Sequence, residues 1–139
     1  MIKLIISALD GSEHSLKALD VARDLAERYH AKLILLHAYP YTSDLRGSEA
    51  FNQLVAERKR AGDRILKEAN SRIDHPAFEV EEDLLEGPAA DAIIRVAKTR
   101  NADLVVMGTR GMGSIKGLLF GSVSIKVSSL APCAVLVTR

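Results

Sequence analysis

Residues 32–38 read KLILLHA. Leu33, Ile34, Leu35 and Leu36 follow one another with no polar residue between them. A strand with one wet face alternates apolar and polar side chains, whereas a nearly unbroken apolar run is buried on both faces, as in a parallel sheet covered by helices. The same logic predicts strands over Ile2 to Leu9, Asp103 to Met107 and Ala134 to Thr138, and a more alternating one over Phe78 to Leu85.

Helical patterns fill the gaps. Ser12 is placed to cap a first helix, because its hydroxyl can accept from an orphan amide; Ala18, Ala22, Leu25 and Tyr29 then share one face. A second helix is predicted from about Ser48 to Arg72, with Phe51, Leu54, Arg58, Ala61, Ile65 and Ala69 on one side. Arg58 interrupts that stripe, and its charged end is expected to reach water. Pro88 suits the first turn of a third helix, where a missing N–H costs nothing, and Ala89, Ile93 and Val96 form its buried face. A fourth helix starts near Gly121 or Ser122, buries Val123, Val127 and Leu130, and is stopped by Pro132. The order β-α-β-α-β-α-β-α-β implies one α/β domain spanning residues 1–139, with a five-stranded parallel sheet, helices on both faces and right-handed crossovers; the expected strand order is 3-2-1-4-5, with two helices on each face.

The totals exclude several classes. The chain has 139 residues and a net charge of +1, without the basic bias of a nucleic-acid binder. No apolar run is long enough to cross a bilayer, and Met1 to Ile6 is too short for a signal peptide, so no membrane partner is expected. The single cysteine, Cys133, cannot form an internal disulfide, which favours the cytoplasm.

Ligands of open parallel sheets bind beyond the carboxyl ends of the strands, where the winding reverses. In the order 3-2-1-4-5 that place lies between the first and fourth strands. One loop there is Asp10-Gly11-Ser12. The other is GTRGMGSIKGLLFGS, residues 108–122, which holds five of the nine glycines in the chain. This stretch leads into a helix start, where unpaired amides and partial positive charge suit phosphate. Ser122 and Ser124 would add hydroxyl donors, and Lys116 and Arg110 could add charge. Neither the P-loop pattern nor GxGxxG is matched. Two readings therefore stand side by side: a phosphate cradle, or a flexible connection with a close helix–strand contact. Asp10 likewise either shapes its turn or meets a ligand. His14, His30, His37 and His75 lack metal-ligand spacing and read as solvated or structural. Ser12 reads as a cap, not a nucleophile.

Gly108, Gly111, Gly121 and Ser122 satisfy G-x2-G-x9-G-[ST]. With ALDGSEHS after the first strand, LLHAY ending the second and the closing APCAVLVTR, the chain resembles the ATP-binding branch of the universal stress proteins over essentially its whole length. Ala134 stands where the common closing form has proline. The resemblance implies an adenine nucleotide α-hydrolase-like fold that binds ATP or another adenine nucleotide, with Mg2+ or Mn2+ held mostly by phosphates and water. It implies that Asp10 meets the ribose hydroxyls, that Ala8 and Leu9 lie beside the base, and that Ala38 offers its main chain to the adenine edge. Gly108 would lie against the ribose, and Gly111, Gly121, Ser122 and Val123 would reach the phosphates. The expected role is a nucleotide-dependent stress-response or regulatory module, or alternatively a slow ATP hydrolase. The apolar final strand, an unguarded edge, and the resemblance together imply a homodimer. A phosphoacceptor signalling domain does not fit, because the required cluster of acids after the first strand is missing.

Overall fold

A computed structural model describes residues 1–41, 47–109 and 120–139. Each apolar run forms a strand and each periodic stretch a helix, in the order β1 (Leu4–Ala8), α1 (Glu13–Tyr29), β2 (Lys32–Tyr39), α2 (Glu49–Ser71), β3 (Val80–Glu86), α3 (Ala89–Thr99), β4 (Leu104–Gly108), α4 (Ser122–Leu130) and β5 (Ala134–Thr138). All pairings are parallel and the sheet order is β3-β2-β1-β4-β5, as predicted. Side chains of successive strand residues leave opposite faces, so two cores form. Ile5, Leu33, Leu35 and Val106 meet α1 and α2. Ile6, Ile34, Leu36, Val105 and Met107 meet α3 and α4.

The boundary of β4 shows how local chemistry trims a strand. Asp103 was predicted inside it, yet its carboxylate accepts from the amides of Lys3 (2.7 Å) and Leu4 (3.0 Å), tying the start of β4 to that of β1. Those two amides hold its pKa below the usual carboxylate value. β3, the polar edge, alternates because each face has a charged partner. Arg100 grips Glu81 with two bonds of 3.0 Å, and on the other face Glu82 accepts from Lys67 (2.9 Å) and Asn70 (2.6 Å).

Ser12 and Ser48 cap α1 and α2, accepting from the amides of Ser15 (3.2 Å) and Phe51 (3.0 Å). Pro88 is itself the N-cap of α3, one position before its predicted place.

Four helical details differ from expectation. Tyr29 is 45% exposed and Leu130 60% exposed. Both are the last residues of their helices, so no further turn follows to cover them. In α2 the buried line is Gly62, Leu66 and Ala69, centred roughly 60° round the helix from the predicted stripe; Ala69 belongs to both, and predicted Ile65 is partly buried against the same core. Arg58 does not simply run to water: its Nη1 donates to the carbonyls of Pro40 (3.2 Å) and Tyr41 (3.4 Å).

Candidate functional site

At the carboxyl end of the sheet, where β1 and β4 part company, a cleft opens on the α3/α4 side. Ala8, Leu9, Asp10, Ala38, Gly108, Gly121, Ser122, Val123 and Ser124 all line it. Those are nine of the ten residues singled out in the sequence; the tenth, Gly111, lies outside the described residues, as do Arg110, Met112 and Lys116. Sequence reasoning missed Ser15, Leu36, Ala89, Ile93, Met107 and Thr109 as lining residues. Leu36 had a signal: it is the strand partner of Ala8.

The floor is apolar. Ala8, Leu36 and Met107 come from the same face of three neighbouring strands, and Ile93 from α3 faces them. Leu9 and Gly108 belong to the opposite face. The Leu9 side chain packs in the α1/α2 core, so it presents main chain to the cleft. Gly108 is similar: it lines the cleft with main chain. A Cβ on Gly108 would stand 2.8 Å from His14 Cβ and 2.9 Å from His14 C. The missing side chain makes room for the first turn of α1, which is the close helix–strand contact left open above.

Ala38 offers a second main-chain edge. The β1–β2 ladder ends with Ala8 opposite Leu36. The Leu36 carbonyl points toward β1, accepting from the Leu9 amide at 2.8 Å. Two residues on, the amide and carbonyl of Ala38 point the same way, but no β1 strand residue stands opposite.

Around the polar end, Asp10 sits in a tight turn whose next residue, Gly11, has φ +85°, a conformation glycine adopts at least cost. Asp10 Oδ1 accepts from the Ser12 amide (2.9 Å) and from the Ser12 hydroxyl. Ser15 Oγ accepts from the Asp10 amide (3.4 Å) and donates to the Ser12 carbonyl (2.8 Å). The aspartate therefore does shape its turn. A carboxylate has about four acceptor positions, so shaping a turn and receiving a ligand hydroxyl are compatible.

Opposite stands the start of α4. Its N-cap, Gly121, supplies no side-chain cap, so the amides of the first turn have no helical partner. Thr109 clasps this start to β4: its carbonyl accepts from the Gly121 amide and from Ser124 Oγ (2.9 Å), while its own amide donates to the Thr138 carbonyl (2.7 Å). The Ser124 hydroxyl, expected to face a phosphate, is thus turned inward to the carbonyls of Thr109 and Gly121. Ser122 is exposed.

Among the described residues no group of three or more His, Cys, Asp and Glu could hold a metal ion. Burial first, and Asp103 second, push the Cys133 thiol pKa up, which works against a reactive thiolate. Chemically, the cleft can take a molecule with a flat apolar end, hydrogen-bonding hydroxyls in the middle and an anionic tail at a helix start.

Known proteins resemble this chain along its full length. The profile of the Universal stress protein family matches residues 1–139. A universal stress protein of Thermus aquaticus, encoded in the 3′ region of a QAH/OAS sulfhydrylase, is 39% identical over 139 residues, covering all of both chains. Among solved structures, a universal stress protein in complex with cAMP is 34% identical, with a TM-score of 0.77 over 99% of this chain and 97% of its own. The protein MJ0577 superposes with a TM-score of 0.88 over 99% and 96% of the two chains at 24% identity, which speaks to the fold alone.

Proposed function

This chain belongs to the universal stress protein family, and we propose that its cleft binds an adenine nucleotide, ATP foremost, as the ligand of a stress-response or regulatory module. The observation that carries the proposal is the meeting of the Asp10 turn with the uncapped start of α4 across one apolar-floored cleft. The base would lie over Ala8, Leu36 and Met107 with its edge toward the Ala38 main chain. Asp10 would receive the ribose hydroxyls. The phosphates would take the amides of Ser122, Val123 and Ser124, where charge and unpaired donors coincide. Gly111 belongs to the same phosphate group on the strength of the family pattern. A relative crystallised with cAMP supports the nucleotide class.

Mg2+ or Mn2+ would arrive with the phosphates, held by their oxygens and by water, since the described residues provide no acidic cluster. β5 is an outer strand of the sheet with apolar, half-exposed Val135, Leu136 and Val137. On this reading it pairs with the same strand of a second copy, and the homodimer works in the cytoplasm.

Isothermal calorimetry with ATP, ADP, AMP and cAMP, with and without magnesium, tests the site. Asp10→Ala and Gly121→Val should each weaken binding by about tenfold or more, the scale of one or two lost charge-assisted hydrogen bonds. Unchanged affinity in both variants, or no binding by the wild type, refutes the assignment. Sustained ADP release that is lost in Gly121→Val would make the nucleotide a substrate rather than a ligand. A monomer in sedimentation at micromolar concentration removes the homodimer.

A further inference from the structure

We propose that His37 is a positioning residue of the cleft, holding the peptide plane from which Asp10 projects. His37 lies on β2 between Leu36 and Ala38, two lining residues, but its side chain leaves by the other face and is buried. Its Nδ1 stands 2.7 Å from the Leu9 carbonyl oxygen. A carbonyl only accepts, so Nδ1 carries the hydrogen and donates it.

That carbonyl and the Asp10 amide are the two ends of one planar unit. The amide end is met by Ser15 Oγ at 3.4 Å. His37 and Ser15 therefore hold the plane from both sides, just beyond the last β1–β2 pair, Ala8 with Leu36. With the plane fixed, the direction of the Asp10 side chain follows.

The surroundings of the imidazole carry the same message. Gly62 is the single glycine of α2 and sits in its interior, where glycine is among the poorest helix formers. A Cβ there would stand 2.8 Å from His37 Cδ2 and 2.6 Å from Leu84 Cδ1. The helix accepts an unfavourable residue at the spot where the ring needs room. An apolar side chain on β2 would fill the core equally well, but it could not satisfy a carbonyl that the fold buries with Leu9.

The proposal rests on Asp10 as the ligand-facing group, and its test separates the two claims. In His37→Leu the donor is lost; in His37→Asn the amide nitrogen can occupy the place of Nδ1. Hydrogen exchange of the Ser12 amide, which donates to Asp10 Oδ1, reports the turn with no nucleotide present, and the Val105 amide in the central sheet controls for global stability. Exchange at Ser12 should speed up about tenfold more than at Val105 in His37→Leu, and stay within about threefold of wild type in His37→Asn. ATP affinity should fall about tenfold in His37→Leu, recover in His37→Asn, and fall no further when His37→Leu is added to Asp10→Ala. Equal behaviour of the Leu and Asn variants, or Ser12 exchange that only follows Val105, overturns the proposal. If the wild type binds no nucleotide, the site reading fails while the exchange comparison still decides the role of His37.

Discussion

Gly108→Ala is expected to destabilise the protein with no ligand present. The added methyl would lie 2.8 Å from His14 Cβ, 2.9 Å from its C and 3.0 Å from its O, against an ordinary contact of 3.4 Å or more. Two of those atoms are backbone, so the first turn of α1 must retreat by about 0.5 Å. It is not free to do so alone, because Ser12 and Ser15 bond it to the Asp10 turn. Overpacking of this kind costs about 2–3 kcal/mol. For a chain of this length a degree of melting temperature corresponds to about 0.3 kcal/mol, so Tm should fall by roughly 7–10 °C. Differential scanning calorimetry of the nucleotide-free protein at neutral pH measures it. A fall under about 2 °C would refute the reasoning: Gly108 would then be small for the ligand and not for the helix.

Leu66→Ala removes a fully buried side chain from the α1/α2 core and should cost about 2–5 kcal/mol by chemical denaturation; Ile65→Ala, at a partly buried position packed against the same core, should cost less. Ser124→Ala takes a buried hydroxyl from the Thr109 clasp and should lower stability by about 1 kcal/mol, seen as a Tm drop of roughly 3 °C. Arg100, then Lys32, hold Glu81 at a pKa of about 2 instead of the ordinary 4.5. Because the folded value is the lower one, the stabilisation is complete above pH 4.5 and is lost as pH falls toward 2. Thermal melts across that window should show a shallower decline in Glu81→Gln than in the wild type, and parallel curves would contradict the ion pairs.

The sheet was legible because its strands are buried on both faces. Leu33 to Leu36 could hardly sit anywhere but in the middle of a covered sheet, and alternation with right-handed crossovers gave parallel strands; the strand order itself agrees with the fold that the family resemblance implies. What a helix buries was harder to read. Periodicity marks an apolar side but not which part of it is most deeply buried, so Leu66 and Gly62 were passed over while Ile65, only partly buried against the same core, was named. Ends of helices misled for the same reason: Tyr29 and Leu130 continue a pattern that the packing does not. Of the cleft, element order placed the Asp10 turn and the glycine-rich stretch, while Ala8, Leu9, Ala38, Gly108 and Val123 were named only through the family resemblance. Ala89 and Ile93 were not placed there, since only the packed position of α3 brings them in. His37 and Ser124 show the other limit. Their residue types suggested polar roles, but the partners are main-chain carbonyls 28 and 15 positions away, a distance no local pattern encodes.

Thr109 has an implication for how force travels in this molecule. One residue spends its amide on Thr138 at the rim of the sheet and its carbonyl on Gly121 and Ser124 at the helix start. Strain applied along the outermost strand thus reaches the mouth of the cleft through the two peptide groups that flank one α-carbon. Stiffening either end restrains the other, so vibration at the sheet's border and vibration at the cleft should be damped together.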